Sequence, residues 1–198
     1  IFLMKKNKSK IPLIIIPVRM GSKRLKNKNI LPIKGLPMFV FVAKEVQKSK
    51  FSPLIYVSSE SVKIQNICKK FSINFIKRPK KLSLSYVEKQ LAIVHAVRNI
   101  TKKNKFKSKI IISLQANSPE IKFKDLDKAI IFFKNSFQNK KNKELISVGK
   151  NNLQNAAFRI MTYSAVFQRS LSTNICIYKK NYTDIHSMND YKKVLKKI

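Results

Sequence analysis

Residues 11–18, IPLIIIPV, form a short, continuous and largely β-branched run of the kind that makes a strand buried on both faces. Residues 19–29, RMGSKRLKNKN, follow directly and turn abruptly basic. A glycine after a buried strand lets backbone N–H groups approach an anion, and Ser22, Lys23 and Arg24 add donors and charge. The loop has neither the Walker A pattern nor the dinucleotide pattern GxGxxG. Charge alone does not separate an anion cradle from a solvated basic turn.

Strand-like and helical patterns alternate along the rest of the chain. Further strands are predicted at 53–59, 73–76, 109–115 and 144–150, and helices at 38–49, 61–71, 86–100, 124–136 and 188–198. Repeated β-α-β units predict an α/β fold with a mostly parallel sheet in three layers. Ligands bind beyond the carboxyl ends of such strands, which selects the loops after Ile16, Val57 and Leu114. Residues 150–183 hold Asn-rich turns and short strand-like runs without a clear assignment.

Length and composition indicate a single folded domain. The 198 residues are 44% apolar, enough for a sizeable core and too apolar for a disordered polycation. We expect one domain over residues 11–198 and a disordered basic terminus over residues 1–10. The longest apolar run is too short to cross a bilayer, and the opening IFLM precedes the lysines, the reverse of a signal peptide. A soluble cytoplasmic protein is therefore expected.

The formal net charge of +34 raises the question of nucleic-acid binding. Only six of the 43 basic residues are Arg, and the lysines appear in nearly every segment without forming a stripe. Arg supplies the planar fork that reads phosphates and guanine edges, so its scarcity argues against a specific nucleic-acid partner. Compositional bias accounts for the lysines, and non-specific polyanion binding would still follow.

The two cysteines indicate neither a metal site nor a disulfide. Cys68 and Cys176 are far apart and belong to no CxxC pair or ligand cluster. Cys68 lies on the expected inner face of a helix, where a free cysteine serves as a small apolar residue.

The order of residues in the first loop says more than its charge. Residues 15–38 resemble the N-terminal signature of the sugar-activating cytidylyltransferases, roughly IPAR-x-GSKR-(three residues)-KN followed by G-x-P. The pattern is met without gaps by Arg19, Gly21, Ser22, Lys23, Arg24, Lys28, Asn29, Gly35 and Pro37. Later segments resemble the family in order: YVSSES (56–61), FIKRPKKLS (75–83), IISLQANSPEI (111–121) and DIHSMNDYKKV (184–194). The acylneuraminate (CMP-sialic acid) synthetases are the most similar branch, and the CMP-Kdo synthetases are related to them.

The resemblance implies a Rossmann-like nucleotidyltransferase. Its substrates would be CTP and a sialic-acid-like (nonulosonic) 2-keto sugar acid, and its products a CMP-sugar and pyrophosphate. The catalytic residues implied are Arg19, Lys23 and Lys28, with Lys28 and Asn29 facing the α-phosphate. The CTP-binding residues implied are Arg19, Gly21, Ser22, Lys23, Arg24, Asn29, Arg78 and Gln115.

The resemblance also implies Mg²⁺ as the cofactor, with one departure from the pattern. The family's closing motif offers two aspartates one residue apart, where this chain has Asp184 and His186. Mg²⁺ prefers hard oxygen ligands, so imidazole is a poor replacement. Asp184 is the expected metal ligand, and His186 either joins it, contacts phosphate or water, or orients Asp184. Asn117 stands where the Kdo branch carries a further aspartate.

The middle of the chain matches the family weakly. By resemblance, residues 136–183 form a reduced region for sugar binding and dimerisation, and a homodimer is expected. Candidates to meet a sugar carboxylate or hydroxyl are Arg159, Gln168, Arg169 and Asn174. Glu60 at a strand end could touch ribose or cytosine, and charge at a helix N-terminus explains it equally well. Two alternatives stay open: CMP-Kdo synthesis, and a non-catalytic polyanion-binding relative with a degenerate metal site.

Overall fold

The computed structural model describes residues 8–22, 24–168 and 170–198. Its strands are β1 Leu13–Pro17, β2 Pro32–Ile33, β3 Leu36–Pro37, β4 Leu54–Ser59, β5 Asn74–Lys77, β6 Ile110–Leu114, β7 Glu144–Val148, β8 Gln154–Thr162 and β9 Ile175–Lys179. Its helices are α1 Met38–Gln47, α2 Val62–Lys70, α3 Lys89–Asn104, α4 Phe123–Lys140 and α5 Met188–Leu195. Among these residues, no helix is long and apolar enough to cross a membrane.

Seven strands form one sheet in the order β5-β4-β1-β6-β8-β7-β9, and β2 and β3 form a separate hairpin. The pairs β5-β4, β4-β1, β1-β6 and β7-β9 are parallel, while β8 runs antiparallel to both of its neighbours. The mostly parallel sheet predicted from the alternating pattern is therefore confirmed.

The central strand β1 separates the two apolar layers. Ile14 and Ile16 face a cluster built with α1, α2 and α4, whereas Leu13 and Ile15 face a cluster built with α3. Because successive side chains of a strand point to opposite faces, a strand covered by helices on both sides must be apolar throughout. This explains the unbroken run at residues 13–16, each at most 1% exposed.

The stretch at 150–183, which the sequence leaves unassigned, completes the sheet. β8 pairs with both β6 and β7, and β9 forms the edge beyond β7. The β8 strand contains Arg159, opposite Ser113 of β6.

The C-terminal helix packs against the loop that follows β1. Leu25 and Ile33 share a small apolar cluster with Tyr191 and Val194 of α5, and Ile185 belongs to the same cluster. The Tyr191 hydroxyl also donates to the carbonyl of Pro32. These contacts hold the segment around residue 185 against the first loop, although the two are far apart in sequence.

Candidate active site

A cavity of about 480 Å³ lies at the carboxyl ends of β1 and β6. Pro17 at the end of β1 lies beside Ser58 of β4, so the loops after these strands leave the sheet together. The predicted residues that line the cavity are Arg19, Ser22, Arg24, Lys28, Asn29, Arg78, Gln115 and His186. The motif residues of four separate segments therefore meet in one place.

The first loop contains two further predicted residues, Gly21 and Lys23. Lys23 lies outside the described residues. Gly21 does not have a positive φ, and a Cβ built on it would meet nothing within 4 Å. The protein itself therefore does not require glycine there, and open space adjoins the backbone that an anion would approach.

The first loop is held in shape by polar contacts of its own. Asn29 is 8% exposed, and its side-chain amide donates to the carbonyl of Arg19 at 2.9 Å. The Met20 amide donates to Glu60 Oε1 at 3.1 Å, which ties the loop to the end of β4. Asn29 thus fixes the backbone that carries Arg19, a positioning role that its place in the motif did not reveal.

Among the described cations that line the cavity, Arg78 is the most buried, at 4% exposure. Its Nη2 donates to the Val18 carbonyl at 3.1 Å and to Glu60 Oε2 at 3.0 Å, and its Nε donates to the Ser83 hydroxyl at 2.9 Å. Within the described residues, no hydrogen bond uses Nη1. Arg78 therefore joins three loops and keeps one donor group for a ligand.

Glu60 is the counter-ion of this arginine. Burial alone would raise the pKa of its carboxyl, but hydrogen bonds from its own backbone, Arg78, Met20 and Ser83 outweigh burial and lower that pKa. The carboxylate is therefore ionised when Arg78 is in place. The sequence leaves Glu60 either as a contact for ribose or cytosine or as a charge at a helix N-terminus. In the structure both of its carboxylate oxygens accept hydrogen bonds from the protein.

Lys28 connects the first loop to the C-terminal segment. Its Nζ donates to the carbonyl of Ile185 at 2.9 Å. Burial lowers the pKa of Lys28, the nearby Asp184 opposes that shift, and Arg24 and Arg19 add to it. This lysine is therefore anchored at a fixed point among other cations, a position that suits contact with a polyanion.

Asp184 is enclosed by protein donors. Its Oδ1 accepts from the Asn117 amide at 2.5 Å and from the Ser118 hydroxyl at 3.2 Å, and its Oδ2 lies 3.0 Å from His186 Nε2. The Ile185 amide donates to the Asn117 carbonyl at 2.9 Å, which joins this segment to the loop after β6. Among the roles expected for His186, its contact with Asp184 fits the one in which the imidazole orients that carboxylate.

These residues do not fit a magnesium ion as they stand. Mg²⁺ takes oxygen ligands in near-octahedral geometry, and here the one carboxylate has both oxygens facing protein donors, beside an imidazole. Among the described residues, no group of three or more His, Cys, Asp or Glu could hold a metal ion. The assignment of Asp184 and His186 as metal ligands, and of Mg²⁺ as cofactor, stays a prediction.

Lys89 is a cavity residue that the sequence reasoning missed. It is the first residue of α3 and lines the same cavity as Arg78. Although it is open to solvent, the surrounding protein lowers its pKa by desolvation; Asp184 opposes the shift and Arg159 adds to it. Its only signal in the sequence is its place a few residues after the RP-x-x-L segment, at the start of the next helix.

The predicted sugar-binding residues are dispersed. Arg159 pairs with the fully buried Glu144, with 2.6 Å between Nη2 and Oε2, and also donates to Gln90 at 3.1 Å. Gln168 is half-buried, and its side-chain oxygen has no partner among the described residues. Asn174 precedes the edge strand β9, and its main-chain carbonyl accepts from the Lys143 amide before β7, at the amino ends of these strands and away from the cavity at the carboxyl ends. Arg169 lies outside the described residues. None of the three described residues lines the cavity, although Arg159 acts electrostatically on Lys89, which does.

Residues 13–188 match a protein family described as "Cytidylyltransferase". The 3-deoxy-manno-octulosonate cytidylyltransferase of Francisella tularensis subsp. tularensis (strain FSC 198) is 31% identical over 116 residues, which are 59% of this chain and 43% of that protein. A Helicobacter pylori protein named as a pseudaminic acid cytidylyltransferase joined to a hydrolase is 34% identical over 70 residues, 35% of this chain and 14% of that one. The matched region thus spans less than half of either relative.

The solved structure of a CMP:2-keto-3-deoxy-manno-octonic acid synthetase complexed with CTP has a TM-score of 0.76 to this chain. The likeness covers 94% of this chain and 98% of that one, at 14% identity. At such identity it shows the fold alone, and it confirms the predicted nucleotidyltransferase fold. The family match runs from the first residue of β1 to the first residue of α5 and includes every loop around the cavity. The chain therefore belongs to the cytidylyltransferase family.

Proposed function

We propose that the chain transfers the cytidylyl group of CTP to the anomeric hydroxyl of a 2-keto sugar acid and releases pyrophosphate. The observation that carries the proposal is the convergence of Arg19, Arg24, Lys28 and Arg78 around one cavity, in a chain of this family. The cavity also lies where parallel α/β sheets bind their ligands.

The chemistry requires little beyond position and charge. The sugar hydroxyl loses its proton as its oxygen bonds to the α-phosphorus, and the bond from that phosphorus to the bridging oxygen breaks. Pyrophosphate leaves with the electron pair, and negative charge spreads over the phosphate oxygens. Cations fixed in advance stabilise that charge, as Lys28 is fixed by Ile185 and Arg78 by Glu60.

The finer choice of sugar is also a proposal. The signature of the first loop favours an acylneuraminate or another nonulosonic acid. The relative named for 3-deoxy-manno-octulosonate matches over 116 residues and the one named for pseudaminic acid over 70, so the Kdo alternative has at least equal support. Both sugar classes therefore belong in the first assay.

Three further expectations accompany this function. The homodimer implied by the resemblance, the cytoplasmic location and the domain limits of 11–198 stay predictions. Sedimentation of the purified chain measures the first directly.

The first test measures pyrophosphate release from CTP, UTP, ATP or GTP with a panel of 2-keto sugar acids, with and without Mg²⁺. We expect turnover with CTP and one sugar class. Lys28→Ala should reduce turnover at least about 100-fold, because a fixed charge beside the reacting phosphates is lost. Lys26→Ala is the matched control: Lys26 is exposed, lies in the same loop and does not line the cavity.

Two results would contradict this proposal. Near-normal rates for Lys28→Ala would remove Lys28 from the reaction. An absence of turnover with every sugar, together with salt-sensitive RNA binding, would favour the non-catalytic polyanion-binding relative.

A further inference from the structure

Four carboxylates of the segments that form the cavity are already engaged with the protein. Asp184 and Glu60 each accept hydrogen bonds at both oxygens. Asp190 caps α5, and Glu120 pairs with Lys197 at 3.0 Å. To bind a metal ion, any of these carboxylates would first have to give up a hydrogen bond or an ion pair.

The cations of the cavity wall are in the opposite situation. Arg19, Arg24, Lys28 and Lys89 line the cavity, and no ion pair among the described residues joins any of them to a carboxylate. Lys28 donates to a main-chain carbonyl, so no carboxylate is hydrogen-bonded to it, and Asp184 acts on its charge only through space. The cavity therefore offers positive charge with little negative charge of its own, a balance that attracts a polyphosphate.

A site that binds a metal ion would instead need an excess of negative charge where the ion is held. Mg²⁺ is held in proteins through one or two carboxylates together with the phosphates of the substrate. At position 186 the chain has an imidazole, whose Nε2 lies 3.0 Å from the carboxylate it would have to share with the ion. Lys28 and Lys89, which both interact electrostatically with Asp184, further reduce the attraction of this point for a divalent cation.

We propose that this chain binds CTP without a divalent cation, with Lys28 and Lys89 supplying the positive charge beside the phosphates. The identity of the nucleotide rests on the function proposed above. The metal-free mode rests separately on the engaged carboxylates and the unpaired cations.

The test is calorimetric titration of the full chain with CTP in EDTA and in MgCl₂, at matched ionic strength. We expect the two dissociation constants to agree within about threefold. Binding more than about tenfold tighter in Mg²⁺ would overturn the inference. An absence of CTP binding in both buffers would instead contradict the proposed function, so the two failures are distinguishable. UTP and ATP serve as nucleotide controls.

Two variants sharpen the result. Lys89→Ala should weaken CTP binding in EDTA about tenfold, and Lys26→Ala should leave it within about twofold. His186→Asp should make CTP binding Mg²⁺-dependent, because it puts a second carboxylate beside Asp184. Equal binding by Lys89→Ala and the unmodified chain would remove Lys89 from the proposal. Lys89 is exposed, so Lys89→Ala should fold. Its CTP binding therefore tests the proposal even if a thermal melt shows that His186→Asp is unfolded.

Discussion

At the scale of single residues, Glu60 fixes two walls of the cavity at once. One oxygen accepts from the Met20 amide of the first loop, and the other accepts from Arg78, which is 4% exposed. An ionised pair of this kind stabilises little in itself, but removing one partner leaves the other buried without a counter-ion.

Glu60→Gln should lower the free energy of unfolding by about 2 kcal/mol, because the buried guanidinium loses its charge-assisted bond. Urea denaturation measures the change as a lower midpoint with an unchanged slope. Glu88→Gln is the control, since Glu88 is exposed and makes no capping bond to α3. A loss for Glu60→Gln no larger than for this control would contradict the role given to Glu60.

The same residue predicts a pH dependence. Its hydrogen bonds lower the pKa of Glu60 in the folded chain below the ordinary value of 4.5. The unfolded chain then binds more protons, so the stabilisation is present above pH 4.5 and is lost as the pH falls through the folded value. As the pH falls from 6, the free energy of unfolding should decrease less steeply in Glu60→Gln than in the unmodified chain.

At this scale, sequence order predicts some contacts and not others. Arg19, Lys28 and Asn29 are recognisable because one loop presents them at fixed spacing. The bond between Glu60 and Arg78 is not predictable in this way, since it depends on parallel pairing of β4 with β5, which places Ser59 beside Lys77. The metal prediction comes from the resemblance of the closing motif, and a sequence motif does not reveal that Asp184 is surrounded by donors.

Among the elements, α5 has the clearest sequence signal for its start. Ser187 accepts from the Asp190 amide, and the Asp190 carboxylate accepts from the Ser187 amide, which together form a capping box. Asp190 also accepts from the His186 amide at 3.0 Å, so the cap fixes the residue that faces Asp184.

Ser187→Ala should lower the free energy of unfolding by about 1 kcal/mol, because an amide at the start of α5 loses its partner. CTP affinity should fall as well, since the backbone at His186 is less constrained. Ser187→Thr keeps the acceptor and should restore both properties. Thermal melts and calorimetry check the pair, and unchanged affinity in Ser187→Ala would separate the cap from the site.

Helix α3 illustrates the limits of pattern at the scale of elements. The spacing of Val87, Leu91, Val94 and Val97 predicts one apolar face, yet Leu91 is 48% exposed. The face turned to β1 instead consists of Ile93, Ala96, Val97 and Ile100. The helix begins at Lys89, so Val87 precedes it. The face against the sheet includes the small residue Ala96, and hydrophobic spacing alone does not predict that face.

For the whole molecule, the net charge of +34 is a property distinct from the site. We expect the chain to bind heparin and poly(U) alike at low salt and to release both by about 0.5 M NaCl, because the attraction is sequence-independent and screened. Fluorescence anisotropy across a salt series measures this. Binding that resists salt or prefers one sequence would contradict the interpretation of the lysines as compositional background.

The fold as a whole is more predictable than its strand order. Alternating strands and helices are local patterns, so the sequence predicts the parallel core correctly. The placement of β8 between β6 and β7 depends on contacts between distant segments, with Leu114 opposite Phe158. The Asn-rich turns around β8 contain no signal for that pairing, which is why residues 150–183 have no assignment from sequence.

The hydrogen bond from Lys28 to Ile185 can form only late in the synthesis of the chain. Its partners are 157 residues apart in the chain. At about 5–20 residues per second, a ribosome makes the second partner roughly 8–30 seconds after the first. During that interval β1, β4 and β5 can pair. Ile185, which anchors Lys28, and His186, which lines the cavity, have not yet been made. Nascent chains that stop before residue 185 would carry the basic loop without the segment that anchors its lysine.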